Sequence, residues 1–391
     1  MSIRKILITG ASGYIGSNVI RYLQEYNELH NISSACAQKA ESSQRQAETV
    51  QAGTPKGVTE IHQAGTSQGM TDTNQTETPQ GVTEATQAGT PQSLTTLYQI
   101  DTLSLRETDW EEYDFSGYTC VLHLAGKAHA DIDKLSEAEK QEYYKVNCDL
   151  AVRVAGMAKA AGVPQFIYMS SVIVYGDSAG VGYTKHITAA TEPTPANFYG
   201  DRKWRAEQEL VKLADWKAWD GTVGRAVAGE KVHCDRNVQD GGFQVAIVRS
   251  PMVYGQGSKG NFPMLVKIAE RTPIFPKIQN ERSMIYIENL TEFLRLLIDS
   301  GQGGIYLPQN AEYTTTAEMV HRIGACKGKH IHLMGVMNPF VRLAGACPGK
   351  VGKLANKAFG SLTIEQGLTG DITGYQRYSV EESVERTLIE Q

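Results

Sequence analysis

The first sixteen residues constrain this chain more than any other stretch. Ile6, Leu7 and Ile8 form a short apolar run that reads as a buried strand. Gly10, Gly13 and Gly16 follow at intervals of three. Behind them Ile15, Val19, Tyr22 and Leu23 mark one face of a helix. Strand, glycine turn and helix N-terminus together make an anion site. Glycine lets the backbone turn sharply and lets a pyrophosphate come close. The first helical amides have no partner within the helix and meet the anion with the positive end of the dipole. The spacing differs from the commoner Gly-x-Gly-x-x-Gly, yet the order of elements points to a dinucleotide.

Length and charge narrow the surroundings. The 391 residues suffice for two domains, or for one large domain with insertions. A net charge of -5 leaves no footprint for nucleic acid. No run of 18 apolar residues exists, so neither a transmembrane helix nor a membrane partner is expected. The chain enters a strand at once, so no signal peptide is expected. Six scattered cysteines without a Cys-x-x-Cys suit a reducing cytoplasm, with no disulfide framework and no metal site.

From about Gln38 to Thr96 the sequence is Gln, Thr, Gly, Ala, Ser and Glu, with hardly any large apolar side chain. Gln51, Gln63, Gln75 and Gln87 open copies of a twelve-residue unit. One valine or methionine per unit cannot offset the entropy of ordering it. A disordered insertion is therefore the expectation, with a small repeat solenoid as the alternative.

Leu97 to Asp101 reads as the second strand, ending in an acid. An acid there accepts hydrogen bonds from an adenosine ribose, near the offset this motif uses once the low-complexity stretch is set aside; a solvated strand-end Asp is the alternative. Arg106 nearby leaves NADP open. Thr119 to Leu122 is a buried strand closing with His123, Leu124, Ala125 and Gly126, where small residues let a flat ligand lie close. His123 reads as a packed strand-end histidine. A helix from Glu137 to Ala161, with Tyr144, Val146, Leu150, Val154 and Met157 as its buried stripe, stops at Gly162 to Pro164. Gln165 to Met169 is another strand, with Ser170 and Ser171 at its carboxyl edge, where open α/β sheets bind ligands.

Tyr199 and Lys203 open the next helix after Pro193 and Pro195. Four residues apart, they share a helical face. An ammonium beside a phenol lowers the phenol's pKa from about 10, and a phenol so tuned works as an acid/base near neutrality. Residues 217–242 read as a second surface insertion. Phe243 to Arg249 and Ser283 to Ile287 read as strands, Glu288 to Asp299 as an amphipathic helix, and Thr315 to Glu318 as a capping box.

In order and spacing, these pieces resemble the extended short-chain dehydrogenase/reductases, in the branch of NAD-dependent nucleotide-sugar epimerases and dehydratases. The likeness rests on the glycine turn, His123 to Gly126, Asn147, Ser170-Ser171 with Val174-Tyr175-Gly176, Tyr199 with Lys203, Arg249 with Pro251 and Val253-Tyr254-Gly255, and Arg282 to Leu290. It implies an α/β fold: a Rossmann-like doubly wound parallel sheet in residues 1–249, with a smaller C-terminal substrate-binding region in 250–391. It implies NAD held by Gly10, Gly13, Tyr14, Ile15, Gly16, Asp101, Leu124, Ala125, Gly126, Asn147, Tyr199, Lys203 and Pro251. Tyr199 would be the acid/base, Lys203 its partner and a ribose ligand, and Ser171 the hydroxyl on the reacting oxygen. Arg282 would hold the diphosphate of a nucleotide-sugar substrate, and Asn261 would touch its pyrophosphate or uridine side.

Sugar 4,6-dehydratases carry an Asp-Glu pair where this chain has Val172 and Ile173, which cannot transfer protons, so dehydration is set aside. A UDP-hexose 4-epimerase is the expectation. A reductase of a UDP-4-keto-6-deoxy sugar uses the same residues and stays open as the alternative. A non-catalytic NAD-binding sensor would have no need of the acid/base pair. Extended members are often dimers, so a homodimer is open to this chain.

Overall fold

The alternation of apolar residues along four strands builds two cores back to back. The computed structural model describes residues 2–31, 96–107, 109–126, 136, 148–215 and 242–389. Six strands form the main sheet: β1 (Ser2–Thr9), β2 (Thr96–Leu103), β3 (Cys120–His123), β4 (Gln165–Ser171), β5 (Gln244–Ser250) and β6 (Gly304–Tyr306). Their order is β6-β5-β4-β3-β1-β2. β1 with β3, β3 with β4, β4 with β5 and β5 with β6 all run parallel.

On one face Ile6, Ile8, Leu122, Ile167, Ala246 and Val248 meet Val19 and Leu23 of helix α1 (14–31) and Leu290, Phe293, Leu294 and Leu297 of a later helix. On the other, Leu7, Val121, Phe166, Tyr168, Val245 and Ile247 meet helix α2 (Leu150–Ala160) and helix α3 (Phe198–Leu213). Successive strand residues point to opposite faces, and both faces are covered by helices, as parallel sheets require. The sheet is Rossmann-like and doubly wound.

Several expected boundaries shift. β2 runs on to Leu103, so Asp101 lies inside the strand and not at its end. In α2 the fully buried positions are Ala151, Val154, Ala155 and Ala158, while Leu150 and Met157 are only partly covered. Val154 is buried as expected, and the small alanines beside it let α2 sit close to β3 and β4. Tyr144, Val146 and the helix's expected start lie outside the described residues. So do the repeat insertion and nearly all of the 217–242 loop, of which only Gly242 is described.

The remainder of the chain comprises helix α4 (Phe262–Arg271), helix α5 (Ile287–Ser300), helix α6 (Thr316–Cys326), helix α7 (Asn338–Ala346), helix α8 (Lys350–Phe359) and helix α9 (Val380–Ile389). A four-stranded sheet joins Thr314–Thr315, Glu281–Arg282, Ser361–Ile364 and Thr184–Ile187. The capping box forms as expected: Thr315 Oγ1 accepts from the Glu318 amide at 3.0 Å, and Glu318 Oε2 accepts from the Thr315 amide at 3.0 Å.

Candidate active site

In the sheet, β2 lies on one side of β1 and β3 on the other, so the strand order reverses at β1. The crevice beyond the carboxyl ends of strands at such a point is where open α/β sheets bind ligands. Gly10 ends β1 there with φ of +77°. A Cβ on it would lie 2.5 Å from the Ala125 amide nitrogen and 2.6 Å from the Leu124 carbonyl carbon. Only glycine therefore lets the turn close on the segment Leu124 to Gly126. The Gly13 amide donates to the Gly10 carbonyl at 3.0 Å, and α1 begins at residue 14. The Ser17 amide donates to the Gly13 carbonyl at 2.9 Å, leaving the amides of Tyr14, Ile15 and Gly16 without an acceptor inside the helix. The Tyr14 hydroxyl is buried without a hydrogen-bond partner, and burial raises its pKa. A cramped turn, open amides and an orphaned hydroxyl all suit a bound dinucleotide.

His123 closes β3. Its Nδ1 is 2.9 Å from Thr9 Oγ1, and its ring stacks on Phe166 and Tyr168. Burial, with Lys203 adding to it, pushes its pKa down to about 3, so the ring stays neutral and packs. Asp101 accepts from the Tyr118 hydroxyl at 2.8 Å and lies 3.8 Å from Lys5 Nζ. Its carboxylate is thus engaged below the sheet's carboxyl edge. Asn147 lies outside the described residues.

β4 carries the serine pair. Ser171 caps a 3-10 turn over Val172–Tyr175, its Oγ accepting from the Ile173 amide at 3.4 Å. α3 then starts at an Asn197 cap, whose side chain accepts from the Gly200 amide at 3.0 Å. A Cβ at Gly200 would lie 2.7 Å from the Ile173 carbonyl oxygen. The absent side chain lets the start of α3, with Tyr199, approach the turn that begins at Ser171.

Tyr199, Lys203 and Glu207 recur at four-residue intervals along one side of α3. Lys203 Nζ donates to the Met169 carbonyl at 2.7 Å and lies 4.5 Å from the centre of the Tyr168 ring. Arg202 sets its guanidinium 5.2 Å from the centre of the Tyr199 ring, a cation beside the phenol that the four-residue spacing did not signal.

Burial lowers the Lys203 pKa to about 7, with Arg202 adding to the shift and Glu207 opposing it. An amine whose folded pKa is depressed destabilises the fold fully below about pH 7, and the penalty fades as pH rises toward the ordinary 10.5. Lys203→Met is therefore expected to raise the melting temperature of the cofactor-free protein, more at pH 6 than at pH 9.5. Thermal unfolding at both values checks this. A rise of equal size at the two would show that the amine is not shifted.

Behind the serine pair lies a buried ionic cluster. Arg249 and Glu207 are both fully excluded from solvent. Arg249 Nε and Nη2 donate to Glu207 Oε2 at 3.0 and 2.6 Å, and Nη1 donates to the Tyr175 hydroxyl at 2.6 Å. Ser170 Oγ donates to Glu207 Oε1. Burial works against the Arg249 charge, but Glu207 and Tyr175 outweigh it and raise the pKa. The cluster ties β4, β5, α3 and the 3-10 turn together beneath Ser171 and Tyr199. The signal for Glu207 was its place four residues after Lys203.

Pro251, expected beside the cofactor, is buried between β5 and the strand Met252–Tyr254, and Asn261, expected on the substrate side, precedes α4. Arg282 donates from Nε to the Gly360 carbonyl at 2.9 Å and from Nη2 to the Lys357 carbonyl at 2.5 Å. It caps the C-terminus of α8, and a diphosphate would have to share its head with those carbonyls.

Comparison with known proteins bears on this site directly. Residues 6–307 match the NAD dependent epimerase/dehydratase family. The chain belongs to that family. It is 28% identical over 275 residues to a UDP-glucose 4-epimerase of Vibrio cholerae, covering 69% of this chain and 75% of that protein. It is 25% identical over 249 residues to an N-acetyl-alpha-D-glucosaminyl-diphospho-ditrans,octacis-undecaprenol 4-epimerase of Escherichia coli O157:H7, covering 62% of this chain and 65% of that protein. Among solved structures, a UDP-glucuronic acid 4-epimerase of Bacillus cereus in complex with NAD superposes with a TM-score of 0.52 at 14% identity, over 98% of this chain and 96% of the other. As a member of the NAD dependent epimerase/dehydratase family, the protein is an enzyme whose cofactor is a nicotinamide dinucleotide. The matched span runs from the glycine turn through Ser171, Tyr199, Lys203 and Arg249 to Arg282. No helix among the described residues is long and apolar enough to cross a membrane.

Proposed function

We propose that this enzyme is an NAD-dependent nucleotide-sugar 4-epimerase. The observation that carries the reading is Tyr199 and Lys203 on one side of α3, with Lys203 bound to the β4 carbonyl two residues before Ser171. A bound NAD would supply the reversible hydride acceptor that lets a sugar carbinol pass through a ketone. In this reading Gly10, Gly13, Tyr14, Ile15 and Gly16 hold its pyrophosphate, Leu124 to Gly126 and Pro251 border it, and Lys203 reaches a ribose hydroxyl. Tyr199 takes the proton from the sugar 4-hydroxyl and returns it after the sugar has turned over. Ser171 donates a hydrogen bond to the same oxygen. Lys203 and Arg202 favour the ionised phenol. Arg282 and Asn261 meet the diphosphate side of the nucleotide. Val172 and Ile173 offer no group for eliminating water from the ring.

Purified protein mixed with UDP-glucose or UDP-N-acetylglucosamine, without added cofactor, is expected to convert part of the sugar to its C4 epimer, read by proton NMR of the anomeric signals. An unchanged C4 configuration across a broad panel, together with NADPH or NADH consumption on a UDP-4-keto sugar, would select the reductase instead.

A further inference from the structure

The charge of this chain is unevenly spread. The whole carries -5, yet residues 319–364 contain seven Lys and Arg and not one Asp or Glu. That span holds α7 and α8, which form a hairpin: Asn356 of α8 donates to the Gly345 carbonyl of α7 at 3.1 Å. Asn356 also accepts from the Val181 amide at 2.9 Å, and Arg282 caps the far end of α8. The hairpin is therefore firmly seated on the protein. Its outer side is not covered. No residue of α7 is buried, and Phe340 is 72% exposed and Leu343 67%. In α8, Gly352 and Ala355 are buried, whereas Val351 is 60% exposed and Leu354 63%. Val336, just before α7, is 67% exposed. Large apolar side chains recur three residues apart on each helix, beside exposed Arg342, Lys350, Lys353 and Lys357.

We propose that the α7–α8 hairpin docks the enzyme on an anionic phospholipid surface. Short helices with apolar side chains bordered by lysine and arginine insert into the boundary between headgroups and acyl chains, and do not span the bilayer. Clustered Lys and Arg without acids are drawn to the negative potential of such a surface. Arg322 and Lys327 of that span pair with Glu381 and Glu270, but the hairpin itself, residues 338–359, carries the exposed Arg342, Lys350, Lys353 and Lys357 and no acid. A protein partner would be met by the same apolar groups, but cations of one sign beside them fit a surface that is uniformly negative. A search for spanning segments alone passes over this arrangement, because neither helix exceeds ten residues.

The test is co-sedimentation of the full-length protein with vesicles of phosphatidylcholine alone or mixed with phosphatidylglycerol. Binding to the mixed vesicles is expected to be at least about tenfold stronger and to weaken with salt. Phe340→Ser with Leu343→Ser should release the protein from vesicles. Lys350→Glu with Lys353→Glu should erase the preference for phosphatidylglycerol. Both double variants should keep the wild-type melting temperature and turnover, since the changed side chains are exposed. Absence of sedimentation with either vesicle would overturn the proposal. So would equal binding by the charge-reversed protein. A concentration-dependent dimer that the Phe340/Leu343 variant loses, with no vesicle binding, would assign the face to a second copy of the chain.

Discussion

Tyr199→Phe is expected to lower turnover by about 10²- to 10⁴-fold, the range general acid/base groups supply. The substitution removes one oxygen and leaves the ring against Arg202 in place. Dinucleotide affinity should therefore change by less than about tenfold, the worth of a single hydrogen bond. Single-turnover kinetics and a dinucleotide titration on the same preparation separate the two effects. Turnover near wild type would remove Tyr199 from the mechanism and with it the roles of Lys203 and Ser171. Loss of dinucleotide binding along with turnover would instead mean that the phenol matters for the site's shape.

The second large effect concerns stability. Glu207→Ala or Arg249→Ala should each destabilise the protein by about 3–5 kcal/mol, because either leaves an opposite charge buried without its partner. The pair has no solvent to fall back on, and Arg249 also loses or leaves behind its bond to Tyr175. The double variant should cost less than the sum of the singles, since removing both charges strands neither. Denaturant unfolding of the three proteins measures this. Single substitutions near 1 kcal/mol, with additive effects, would show that the cluster is not coupled. The variants also test positioning: Ser170 binds Glu207, and Ser171 follows it on the same strand. Glu207→Gln keeps the shape and the acceptor, so it should hold the fold better than Glu207→Ala while still weakening the grip on Arg249.

How much of this was legible from the chain alone varies by residue. The glycine turn was, because the strand, the turn and the helix face are all encoded within about twenty residues. The capping box at Thr315 and Glu318 was, because its two hydrogen bonds span three positions. The buried stripe of α2 was legible in part. Periodicity marks which side of a helix turns inward and found Val154, but the closeness of the sheet decided that Ala151, Ala155 and Ala158 are enclosed with it while Leu150 and Met157 are only partly covered. Asp101 was expected to end a strand. The continuation of β2 to Leu103 set it among Lys5 and Tyr118 instead.

By itself, then, the order of residues determined the strands and helices of the main sheet in outline, the glycine turn, the spacing of Tyr199 and Lys203 and the family. These depend on neighbours along the chain, where backbone preference and side-chain period act directly. Tertiary structure alone decided that Glu207 meets Arg249 across 42 positions, that Arg282 caps α8 some 75 positions away, and that Lys203 lodges on the carbonyl of Met169. Such contacts arise only when the sheet order brings distant strands and helices to one edge, and a charge taken out of water then pairs with whatever partner that order has placed within reach.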